Sequence, residues 1–205
     1  MKTKIRNILT GFVIISGLIF ASACNKHNDD NPALATTPLY DTLGWFIQGA
    51  MGPVEGNGTK MIADPDNQGA QIQAGRLAIR TVVNKALGVI AGDPKLAQYF
   101  PALLSEVGAG NTTGLAKLLE SFTDFVQQAT SGQPIYNGKS MKVVHNHATY
   151  DRFGSNEHPT ADSADFDEFI GDVVKAAQSL NVPNSVIGQL GVALVSVEGD
   201  VVQDK

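Results

Sequence analysis

The segment Tyr136-Asn-Gly138-Lys139-Ser140-Met141-Lys-Val-Val144-His145-Asn-His147 holds two of the chain's four histidines, two positions apart. Imidazole binds metals and titrates near neutral pH, so this pair is a first candidate for chemistry. On a strand, alternate side chains share a face. His145 and His147 would then chelate zinc, with His158 or a carboxylate as a further ligand. On a helix the two diverge by roughly 200°, at about 100° per residue, and only one can point inward. Met141, Val144 and His145 would then share a face and His147 would meet solvent, so the conformation of this stretch decides its chemistry. The preceding residues come near a phosphate loop, Gly132-Gln-Pro134-Ile-Tyr136-Asn-Gly138-Lys139-Ser140. Its glycines stand one residue too far apart, Pro134 removes an amide donor, and a helical pattern precedes it where the motif needs a strand. Gly108-Ala-Gly110 likewise follows no strand. No paired carboxylates or activated nucleophile are evident.

The elements that must position these residues read as helices. Ile79, Val82, Val83, Ala86, Leu87 and Ile90 recur at i, i+3, i+4 spacing, predicting an amphipathic helix from about Leu77 that Gly92-Asp93-Pro94 stops. Residues 96–104 form a short apolar piece with Tyr99 and Phe100, and 108–114 a loop. Leu115, Leu118, Leu119, Phe122, Phe125, Val126 and Ala129 predict a second helix, ended by Ser131-Gly132. Phe166, Phe169, Ile170, Val173, Val174 and Ala177 predict a third, capped by Asp162 or Ser163. Asn181-Val182-Pro183 is a stop and restart before a final stripe, Ile187, Leu190, Leu194, Val197 and Val201. Residues 49–75, rich in Gly, Asn and Gln, read as a long loop or poorly formed helix, and 149–160 as a polar loop carrying His158. No alternating run predicts a strand. The domain is therefore expected to be all-α, and a helix or helix end is favoured for the histidine segment.

Composition narrows the function classes. The 205 residues suffice for one domain, and a formal net charge of −5 with 17% charged residues leaves no basic footprint for nucleic acid. Lys2, Lys4 and Arg6, an apolar run over 8–20 and Ala21-Ser22-Ala23 form a leader whose apolar part is short for a membrane span. Cys24, the one cysteine, follows at once, so no internal disulfide can form among these residues. The arrangement resembles a bacterial lipoprotein signal, which implies that Cys24 is lipidated and the protein is tethered to a membrane of the cell envelope. On that basis 1–23 is a signal peptide, 24–37 a polar tether holding His27, and 38–205 the folded domain.

Tyr136-x-Gly138-x-x-Met141-x-x-x-His145 resembles the proximal signature of the truncated haemoglobins. Leu39-Tyr40-Asp41-x-Leu43-Gly44 is similar to that family's opening. Ala78-Ile79-Arg80-x-Val82-Val83 and Ala91-Gly-Asp93-Pro94-x-Leu96-Ala97-x-Tyr99-Phe100 are similar to its second helix and the turn after it. Phe122-x-x-Phe125 falls on its distal helix, and Asp165-Phe166-Asp-x-Phe169 with Val182-Pro183 on its last two. The resemblance implies a truncated-globin-like helical fold with long loop insertions. It also implies haem (heme b), with His145 as axial ligand to the iron and a diatomic gas or an electron as cargo. Leu87, Phe100, Leu118, Phe122, Val126, Met141 and Val144 would enclose the porphyrin. The family's distal tyrosine and glutamine are replaced by Leu87 and Phe122, with Leu118 beside them. The distal pocket is therefore expected to be apolar and to hold O₂ weakly unless Tyr99 or Gln127 supplies a donor. Two alternatives stay open. His145 could be a satisfied histidine in a haem-free globin scaffold used as an envelope interaction module, or it could belong to a zinc site.

Overall fold

A central helix organises the molecule. In the computed structural model, which describes residues 37–49, 57–146 and 159–204, helix α2 (Ala74–Gly92) buries Leu77, Ala78, Ile79, Val82, Val83, Ala86, Leu87 and Ile90. The periodic stripe is thus the core face, and the helix begins three residues before Leu77. All described residues fall within the unit Ala35–Lys205.

Around α2 pack α1 (Pro38–Ile47), α5 (Thr113–Ser131) and α7 (Ser163–Ser179), and α8 (Asn184–Val195) closes over α1, α5 and α7. The shared core takes Tyr40 and Leu43 from α1, Val126 from α5, Val173, Ala176 and Ala177 from α7, and Ile187, Leu190 and Leu194 from α8. Thr37 caps α1 by accepting from the Tyr40 amide, with Pro38 in the first turn. The Tyr40 ring lies against Gly58 and Gly75, and a Cβ at Gly75 would sit 2.7 Å from it. Only glycine leaves room there for the ring.

Signals at the helix ends act as expected. Asp93 ends α2 and caps α3 (Pro94–Ala97), its Oδ1 accepting from the Lys95 amide at 2.7 Å. Gly132 ends α5 at φ +74°, in the left-handed region where glycine is unstrained. Asp162 and Asp165 form a reciprocal capping box at the start of α7. Asn181, at φ +59°, turns the chain before α8.

The mostly helical class holds, with three corrections. Strands β1 (Met61–Ala63) and β2 (Gln71–Gln73) pair antiparallel, Ile62 opposite Ile72, where a loop or weak helix was expected. Three-residue strands are too short to display alternation, and Arg80 of α2 fastens their connection by bonding Asp64 at 2.5 Å and Asp66 at 2.8 Å. Residues 96–104 contribute to two helices, α3 and α4 (Pro101–Gly108), each opened by a proline. The final stripe divides into α8 and α9 (Glu198–Val201). The remaining helix, α6 (Met141–Val144), packs on α9.

Candidate functional site

His145 stands at the C-terminal cap of α6, so a helix end is the geometry it adopts, while His147, its partner in a His-x-His chelate, lies outside the described residues. Its Nδ1 lies 2.9 Å from the Met141 carbonyl oxygen. A carbonyl can only accept, so Nδ1 carries the proton and, in the neutral ring, Nε2 holds the lone pair that binds metals. A second-sphere bond of this kind orients an imidazole and raises its basicity as a ligand.

The segment leading to α6 is held locally. Tyr136 folds over Gly138, where a Cβ would collide with its ring, and its hydroxyl donates to the Lys139 carbonyl at 2.9 Å. Its amide donates to Gln128 Oε1 at 3.0 Å, and its ring meets Phe125 edge-on at 5.9 Å. The Tyr136-x-Gly138 spacing thus ties the approach to α6 onto α5.

The expected porphyrin-lining residues divide into two groups. Leu87 is buried in the core, Phe122 and Val126 line a void with Leu43, Ile79 and Leu190, and Phe100 and Leu118 pack half-buried against the same core. Met141, Val144 and His145 are half-buried outside that cluster, on the helix that packs against α9. The void measures about 20 Å³, room for roughly one water. A pocket for a ligand of drug size takes about 300–1,000 Å³. The donor at His145 fits an iron porphyrin. The void among the described residues does not fit its volume.

The two residues that could restore a distal donor are engaged elsewhere. Tyr99 donates to Asp165 Oδ2 at 2.6 Å, and burial, reinforced by that carboxylate, pushes its phenol well above the ordinary range. Gln127 donates to the Tyr40 hydroxyl at 2.9 Å and accepts from Arg76 at 2.7 Å. Tyr40 in turn donates to Gln73 Oε1 at 2.6 Å, and Arg76 pairs with Asp124 at 2.6 Å. Neither Tyr99 nor Gln127 is among the residues lining the void, which are all apolar. The Tyr40–Gln73–Gln127 cluster was not anticipated from sequence. Its one signal was a glutamine and two threonines spaced by helical turns on α5, Thr123, Gln127 and Thr130, all buried.

His27, His147, His158 and Cys24, with the signal, the tether up to residue 36 and most of the 149–160 loop, lie outside the described residues, while Thr37 belongs to the fold as the cap of α1. Of the histidines weighed for zinc, only His145 is placed. Compared with protein-family models and with curated proteins, the chain matches none.

Proposed function

We propose that this chain is a globin-like envelope protein that binds haem through His145, in order to bind a diatomic gas or pass electrons. The observation that carries this is the imidazole itself. Its Nδ1 is held on the carbonyl one turn back, 2.9 Å away, which presents Nε2 as the ligand nitrogen. Support also comes from α5, whose Leu118, Phe122 and Phe125 are half-buried while its polar neighbours Thr123 and Gln127 are fully buried. An apolar helix face left partly uncovered suits a large flat hydrophobic ligand. Bound iron would supply the gas-binding or redox chemistry. The chain's own part would be to orient the His145 imidazole and to offer the group the hydrocarbon of Leu118, Phe122 and Phe125. Because the void is only about 20 Å³ and His145 stands outside the cluster around it, haem binding would need these helices to rearrange. The lipidated Cys24 would hold the domain at the membrane.

Haemin titrated into the purified full chain is expected to produce a Soret band that His145→Ala abolishes and His147→Ala leaves intact. Protein that stays colourless would sink the haem assignment. The small void favours a second reading, a haem-free interaction module on the same scaffold, and a colourless protein is the result that module predicts. Zinc co-purifying without haem would return the histidine pair to consideration.

A further inference from the structure

Asp172 of α7 is a charged residue in an unusual place. It is 1% exposed, and among the described residues its Oδ2 has no hydrogen-bond partner. A buried carboxylate oxygen left unpaired is costly, and native structures meet such a debt with a water or an ion. Two further carboxylates converge on it. Glu168 lies one turn earlier on the same helix, and Asp93 comes from the junction of α2 and α3. One oxygen from each of the three lies within 4.8 Å of the others.

Among the described residues, the cation paired with this cluster is Lys175. Its ammonium bonds Asp172 Oδ1 at 2.8 Å and lies 3.4 Å from Glu168 Oε1. Three carboxylates against one ammonium leave a local excess of negative charge, and the ammonium does not reach Oδ2. Lys175 is also 59% exposed, so its side chain can leave without disturbing the core. Asp93 commits Oδ1 to the Lys95 amide, which leaves Oδ2 for another partner.

We propose that Asp93, Glu168 and Asp172 form a divalent-cation site of the calcium class, with Lys175 as an internal counter-ion that the bound metal displaces. Calcium takes oxygen ligands at about 2.3–2.6 Å in flexible geometry. Two oxygens sharing such an ion stand up to about 5 Å apart, so three oxygens within 4.8 Å of one another can share one. Magnesium, at about 2.0–2.1 Å and strictly octahedral, tolerates such irregular placement less well. Waters would complete the coordination on the exposed side. The site joins the end of α2 to the middle of α7, and it does not depend on haem.

Calorimetric titration of CaCl₂ into the purified full chain, with thermal unfolding alongside, tests the site. Saturable binding and a Tm that rises with calcium are expected. Lys175→Ala should tighten binding on the order of tenfold, the effect of removing one competing charge at this range after screening. Glu168→Gln and Asp93→Asn should each weaken it at least about tenfold. Asn caps a helix as well as Asp, so the latter variant keeps α3 in place. No saturable heat in either the parent or Lys175→Ala at millimolar calcium would overturn the proposal. So would unchanged affinity in Glu168→Gln, or magnesium binding as tightly as calcium.

Discussion

Thr123 and Gln127 lie one turn apart on α5, both buried, with opposite consequences. Gln127 is bonded to Tyr40 and Arg76, whereas the Thr123 hydroxyl has no partner among the described residues. Thr123→Val should therefore stabilise the fold by about 1 kcal/mol, because it deletes a desolvated group at nearly constant shape. Gln127→Leu should destabilise it by about 1–3 kcal/mol by stranding its partners. Urea unfolding midpoints of the two variants should move in opposite directions. Sequence placed the apolar stripe of α5 on Leu115, Leu118, Leu119, Phe122, Phe125, Val126 and Ala129. In the structure only Val126 of these is fully buried, Ala129 is exposed and the others are half-buried, and the buried line runs through Thr123, Val126, Gln127, Thr130 and Ser131, displaced round the helix from the centre of that stripe. Hydrophobicity alone cannot reveal that displacement, because the polar groups are admitted by hydrogen bonds from other helices.

Helix starts and stops were the most legible elements, because capping is a local contract between a side chain and neighbouring amides. The box at α7 shows its worth. Burial raises the Asp165 pKa, but bonds from Tyr99, the Asp162 amide and Lys95 outweigh it and hold the carboxyl below its ordinary 3.8. A group with a depressed folded pKa contributes stability above its unfolded pKa and loses it as pH falls through the folded value. Tyr99→Phe removes one of those bonds, so its acid-unfolding midpoint, followed by circular dichroism, should lie at higher pH than the parent's. Asp162→Ala should cost about 0.5–2 kcal/mol at neutral pH. The hairpin of β1 and β2 was not legible, since its strands are defined by pairing across seven intervening residues and by Arg80 reaching from α2. The shortness of α6 was equally hidden. Four residues cannot hold a helix alone, and contact with α9 supports this one.

For the whole molecule, the packing of α1 against α2 leaves a titration signature. Burial pushes the Tyr40 phenol up from 10.0 to about 12. The folded state therefore keeps this proton where the unfolded chain has lost it. Its contribution is complete below the unfolded pKa and disappears as pH rises through the folded value. Stability should fall between pH 10 and about 12, and this alkaline slope should flatten in Tyr40→Phe when unfolding is measured across that window. By itself the sequence determined the mostly helical class, the ends of α2 and α5, the starts of α7 and α8, the core face of α2, and a helix or helix end for His145. Each follows from periodicity or capping within a few residues. Only the tertiary structure decided which face of α5 is buried, that Tyr99 and Gln127 are spoken for by Asp165, Tyr40 and Arg76, and that Asp93 meets Glu168 and Asp172. Those outcomes depend on contacts between residues far apart in the chain, set by how the helices cross and not by any one helix's own pattern.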